Sequence, residues 1–247
     1  MTLTPLSSAA EILLATGHDP FARRSLDRPL VHGWLLGRTV AWLAVDPESG
    51  KRYLSALGAP PQVGELLTEL LPELPPGQRL TVPRGTPAHL PAWASLEGND
   101  WDFRWLDRPP HVQPGEDAVH PIEDAGEIDA LLRAANPTAS AQPGDPSVRR
   151  WFGIRQESLL VACAADTSTP TGIGHLSSIA VHPAARGQGL GRVVTAALTR
   201  RLFDDGCALV TLGMYAENTH GRALYDSLGF LDDHRFTSGP LQVRGRW

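Results

Sequence analysis

Lysine is almost absent from this chain: Lys51 is the single lysine, and every other basic side chain is an arginine, which reads as the coding bias of a GC-rich genome. With 22 basic and 27 acidic residues the formal charge is −5. No concentrated basic face is indicated, so nucleic acid is not expected as a partner. Cysteine is equally scarce. Cys163 and Cys207 lie in apolar, strand-like runs, too few and too separated for a disulfide scaffold, and read as buried free thiols. No apolar run approaches the roughly 18 residues of a membrane span, and no basic segment followed by an apolar core opens the sequence. A cytoplasmic protein without a membrane partner is therefore expected. The nine histidines are scattered without metal-ligand spacing, so no metal is expected either.

The chain has 247 residues, 42% hydrophobic and 20% charged, enough apolar material for real cores. The breaker-rich run Asp107-Arg108-Pro109-Pro110-His111-Val112-Gln113-Pro114-Gly115 reads as a linker, giving two expected domains, 1–110 and 111–247. Upstream, 30–45 and 51–57 read as strands joined by a turn at 46–50. A helix follows, with Val63, Leu66, Leu67, Leu70 and Leu71 at helical spacing, then a turn at 74–77 and short strands at 79–82 and 101–105. Trp34, Trp42, Trp93, Trp101 and Trp105 lack interleaved basic residues and read as packing. Downstream, 127–135 reads as a helix and 151–155, 159–164 and 173–181 as strands. The clearest helix carries Leu190, Val193, Val194, Ala197, Leu198 and Leu202 on one stripe and stops at Gly206. A strand at 208–215, a helix at 219–228 ended by Gly229, and a strand region from Phe230 complete the chain.

The most informative stretch is Val181-His182-Pro183-Ala184-Ala185-Arg186-Gly187-Gln188-Gly189-Leu190-Gly191-Arg192, where a strand runs into a glycine-rich turn that opens a helix. A helix start offers unsatisfied N–H groups and the positive end of the macrodipole. Gly187, Gly189 and Gly191 let an anion approach the backbone, and Arg186 and Arg192 add charged donors at the rim. The dinucleotide fingerprint and the lysine of triphosphate loops are both missing. The spacing Arg186-x-x-Gly189-x-Gly191, with Ile179-Ala180-Val181-His182-Pro183 before it, resembles the acyl-coenzyme-A signature of the GNAT superfamily of N-acetyltransferases.

The resemblance covers the second half of the chain. It implies a mixed α/β (α+β) fold with a mixed, mostly antiparallel sheet and flanking helices. It also implies acetyl-CoA, or another acyl-CoA, as co-substrate, and acetyl transfer to a primary amine by direct attack in a ternary complex. The acceptor is an amine-bearing small molecule or peptide, and the oligomeric state is not indicated. Coenzyme contacts are implied at the main chain of Ile179, Ala180 and Val181 and along Arg186, Gly187, Gln188, Gly189, Leu190, Gly191 and Arg192. The first half runs through a similar order of elements and resembles a smaller, degenerate GNAT-like domain. Its corresponding loop, Gly58-Ala59-Pro60-Pro61-Gln62-Val63-Gly64, carries prolines that remove backbone donors, so no second coenzyme site is expected there.

A second matching segment is Asn218-Thr219-His220-Gly221-Arg222-Ala223-Leu224-Tyr225-Asp226-Ser227-Leu228-Gly229-Phe230. The resemblance implies that Asn218 contacts the coenzyme arm and that the Tyr225 hydroxyl serves as general acid; on helix periodicity alone, Tyr225 is a core residue and Asn218 a cap. Relatives commonly carry a glutamate on the strand before the glycine loop, yet His175-Leu176-Ser177-Ser178-Ile179 contains no acid. His175, placed by alternation on one face with Ser177 and Ile179, and Glu217 are the candidate bases; a satisfied strand histidine and a solvated charge are the bland alternatives. A non-catalytic coenzyme-A-binding module is the rival reading.

Overall fold

The computed structural model describes residues 2–47, 49–75, 77–169 and 172–243. Glu48 of the turn at 46–50 and Pro76 of the turn at 74–77 lie outside the described residues. The chain forms two compact units: Met1–Phe103 with Tyr215–Glu217 and Asp233–Trp247, and Arg104–Met214 with Asn218–Asp232.

The first unit opens with β1 (Thr4–Leu6), α1 (Ala9–Ala15) and α2 (Pro20–Ser25). Both helices are fixed by their caps. Ser8 and Glu11 close a capping box on α1, and the Asp19 side chain accepts from the amides of Phe21 and Ala22 at the start of α2. Next come β2 (Leu30–Leu36), β3 (Thr39–Val45), β4 (Arg52–Leu57), α3 (Pro60–Leu70), β5 (Arg79–Pro83), β6 (Ala94–Leu96) and β7 (Asn99–Leu106). The segment 30–45, expected as uninterrupted extended chain, is a hairpin, turning at Gly37 with φ 63°. Neighbouring strands β1 to β4 pair antiparallel; β4 then pairs parallel with β5 through the α3 crossover. Val63, Leu66, Leu67 and Leu70 of α3 are buried against Ala41, Leu54, Leu80 and Val82 of this sheet.

The second unit contains β8 (His120–Ile122), α4 (Ala125–Ala135), β9 (Arg150–Gln156), β10 (Leu159–Asp166), β11 (Ile173–Val181), α5 (Leu190–Asp204), β12 (Leu209–Tyr215, its last residue in the first unit) and α6 (Thr219–Ser227). Strand β13 (Leu231–Val243) follows, and from Asp233 it belongs to the first unit, where it pairs antiparallel with β5 and β6. Neighbours from β8 to β11 pair antiparallel and β11 pairs parallel with β12. The architecture is thus the expected mixed one, mostly antiparallel with flanking helices.

Helix α5 buries Val194, Leu198 and Leu202 against Val161, Leu176, Val210 and Leu212, while Ile128, Leu131 and Leu132 of α4 pack with Cys163, Ala165 and Ala180. Each unit therefore contains antiparallel strands followed by a helical crossover to a parallel strand. In the first, two residues separate β4 from α3, which starts on Pro60 with no side-chain cap. The expected packing role of Trp42 holds: it is fully buried, with its indole N–H donating to Ser25 Oγ at 3.1 Å.

Candidate active site

The site is set by the place where two parallel strands part. The ladder of β11 and β12 runs from the Ile173–Leu209 pair to the Leu176–Leu212 pair and ends there. Beyond Leu176, β11 continues to pair with β10 through Ser177–Ala165, Ala180–Cys163 and Val181–Ala162. Its other edge, over 177–181, is left without a partner strand among the described residues, so main-chain groups there are available to an extended ligand.

The local cause is a bulge at Ser178. Its φ of 50° is left-handed, and between the Ala165–Ser177 and Cys163–Ala180 pairs β11 carries one extra residue. The buried Ser178 hydroxyl holds the kink by donating to Ala141 O at 2.8 Å while accepting from Ala141 N at 2.9 Å. One expectation changes as a result. Strict alternation puts Ile179 on the face of His175, whereas the bulge turns Ile179 and Val181 toward the cluster that contains Leu176, and Ala180 toward α4.

After Val181 the chain makes one short helical turn at Pro183–Ala185 and enters the glycine loop. Gly187 and Gly189 have φ of 80° and 76°, and neither has protein backbone within 4 Å of the position a Cβ would occupy. Gly191 serves packing instead: a Cβ there would lie 3.2 Å from Leu224 Cδ1 and 3.3 Å from Val181 Cγ2. Among the described residues, the amides of Gly187, Gln188, Gly189, Leu190 and Gly191 donate to no protein acceptor; the first bonds of α5 begin with Arg192 and Val193, both to Gly189 O. Gly189 caps α5 without a side chain. A row of free donors at the positive end of a 15-residue helix has the chemistry to hold an anion.

Arg192 is exposed beside the loop and forms no ion pair with a described residue, whereas Arg186 donates to the carbonyls of Val181 and Ala135, both at 3.4 Å. The Gln188 side chain accepts from Gln156 Nε2 at 2.8 Å.

Helix α6 positions the other candidates. Asn218 is its N-cap, with Oδ1 accepting from Gly221 N at 2.8 Å. Tyr225 is 6% exposed, its ring packs edge-on against Phe230 at 5.9 Å, and its hydroxyl makes no hydrogen bond with a described residue. Burial pushes the Tyr225 phenol up to about 12, against a smaller opposing influence of Arg104. Arg104, 2% exposed, was not singled out from the sequence. Its Nη1 donates to Asp226 Oδ1 at 2.7 Å, tying β7 to α6 beside Tyr225.

His175 faces Thr211 across the β11–β12 ladder, with Nδ1 2.7 Å from Thr211 Oγ1. That hydroxyl donates its one proton to Gly174 O at 2.9 Å, so Nδ1–H is the donor in the histidine contact. Glu217 is exposed and belongs to the first compact unit. Both cysteines are unpaired, and burial pushes the Cys163 thiol up to about 12 and raises Cys207 as well, which keeps them out of thiolate chemistry.

A family model, the Acetyltransferase (GNAT) family, matches residues 100–230, just over half of the chain. The chain belongs to the GNAT family of acetyltransferases. A mycothiol acetyltransferase of Kocuria rhizophila is 41% identical over 58 residues, which are 24% of this chain and 19% of that protein. The chain therefore spans about a fifth of that curated relative. Among solved structures, a GCN5-related N-acetyltransferase from Sphaerobacter thermophilus is similar with a TM-score of 0.57 and 14% identity, over 99% of this chain and 97% of that one. A tandem GNAT protein from the clavulanic acid biosynthesis pathway gives 0.51 and 14%, over 100% and 99%. At such identities the likeness is one of fold. No described helix is long and apolar enough to cross a membrane.

Proposed function

We propose that this acetyltransferase transfers an acetyl group from acetyl-CoA to a primary amine of a small molecule or peptide, by direct attack in a ternary complex. The observation that carries the reading is the run of unpartnered amides from Gly187 to Gly191 next to the open edge of β11. The amides and Arg192 would hold the diphosphate, and main-chain groups over Ile179, Ala180 and Val181 the amide-bearing arm; Asn218 and Arg186 stand at the margins. When bound, the coenzyme supplies an activated thioester.

The chain's own groups then account for the protons. Tyr225 keeps its phenolic proton across the neutral range, because burial disfavours phenolate, and it can give that proton to a departing thiolate. His175, held across the ladder by Thr211, is a candidate base, and Glu217 is the alternative. Unpaired cysteines suit a reducing, cytoplasmic setting. The first half, 1–110, is in this reading a degenerate GNAT-like domain, supported by its own antiparallel strands and α3 crossover, whose Pro60 and Pro61 leave no room for a comparable row of donors.

The experiment is a thiol-release assay with acetyl-CoA against a panel of amines, amino acids and peptide N-termini. Turnover with any of them supports the enzyme. Coenzyme binding with silence across the panel favours a passive coenzyme-A-binding module, a reading motivated by a β11 that carries no carboxylate.

A further inference from the structure

We propose that a cavity within the first unit is a second ligand site, built for a small molecule with an apolar body and an anionic head such as a carboxylate. The cavity measures about 570 Å³, within the usual range of small-molecule pockets. Leu35, Val40 and Leu57, from β2, β3 and the end of β4, give it apolar walls.

Its charged and titratable lining is the exposed Arg38, His234 and the Asp19 carboxylate that orients the histidine. Arg38, in the β2–β3 turn, lines the cavity and makes no ion pair or hydrogen bond with any described residue. His234, from β13, is oriented by Asp19: its Nε2 lies 2.6 Å from Asp19 Oδ2, while Asp19 Oδ1 accepts from the amides of Phe21 at 2.9 Å and Ala22 at 3.1 Å. Asp19 thus has both oxygens engaged, and the Nδ1 of His234 has no partner among the described residues.

The charges facing His234 are Asp19 from α2 and its neighbour Asp233 on β13; the rings of Phe21, Phe103 and Phe236 pack around it from three elements. Burial works against the imidazolium, but the Asp19 bond and the two carboxylates outweigh it, raising the pKa. The protonated ring presents Nδ1–H as a second charged donor alongside Arg38. An anion held between them favours the imidazolium further, so binding weakens as pH rises through the histidine's titration. Asp19, Asp233 and His234 also come within 4.8 Å of one another through atoms that could ligate a metal. A cation there would have to displace the imidazolium from Asp19.

The test is an NMR titration of the full chain with hexanoate, reading the His234 ring signals, assigned with His234→Gln, and using hexanol and hexylamine as matched controls. Expected are a saturable shift with hexanoate, an upward move of the His234 titration midpoint, and affinity at least about tenfold weaker for hexanol and for hexanoate with Arg38→Gln. The proposal is overturned by the absence of a saturable shift, by equal binding of hexanol or hexylamine, or by an Arg38→Gln protein that binds hexanoate unchanged. A saturable response to zinc chloride with none to hexanoate overturns it in favour of a metal.

Discussion

Leu176 and Leu212 are the last paired residues of β11 and β12, and the ladder ends at the point where the Ser178 bulge begins to redirect β11. Unpaired backbone, a left-handed serine and a row of free amides follow one another within fifteen residues of chain, from Ser177 to Gly191. That sequence of local events leaves an open sheet edge beside a row of free donors.

Ser178→Ala is expected to destabilise the protein by about 2 kcal/mol or more, because it removes the bonding partner of both the N–H and the C=O of Ala141 in a buried setting. Urea denaturation measures this. A change within a few tenths of a kcal/mol would show that the hydroxyl does not hold the bulge.

Tyr225→Phe is expected to leave acetyl-CoA binding intact and to lower kcat by about a hundredfold or more. Since burial holds the phenol near 12, turnover of the unmodified enzyme should show no loss with a midpoint near the ordinary tyrosine value of about 10. An unchanged rate at saturating substrate removes Tyr225 from the mechanism.

Asp19→Asn is expected to cost more stability near pH 6 than near pH 9. His234 has a raised pKa in the fold, so its contribution is fully present below its unfolded value and is lost as pH rises through the folded one. The asparagine keeps an oxygen for the α2 cap, which isolates the histidine contact. Denaturation curves giving equal costs at both pH values would contradict the assignment.

Elements with sustained periodicity were legible in the sequence. The Leu190–Leu202 stripe marked α5, alternating apolar residues marked β11, and Gly206, with φ of 92°, ended the helix as its position suggested. The glycine loop was legible because its residue types carry a chemical requirement. Short elements were not read, although Ser8–Glu11 and Asp19-Pro20 are cap signals that mark α1 and α2. The hairpin within 30–45 was hidden because both arms are apolar and its turn rests on Gly37-Arg38 alone. Ser178 could not have been found by pattern: its partner, Ala141, is 37 residues away, and only the fold brings them together. Arg104 gave no signal either, since its burial depends on Asp226 across the fold.

The central claim is that the amides from Gly187 to Gly191 bind the coenzyme's diphosphate, and the most direct test is an amide NMR titration of the protein with coenzyme A. The account predicts saturable shifts concentrated at Gly187, Gln188, Gly189, Leu190 and Gly191, weakened by Gly191→Val, whose side chain would meet Leu224 and Val181 at the loop. Saturable binding that leaves those five amides unmoved, or no binding at all, would contradict it.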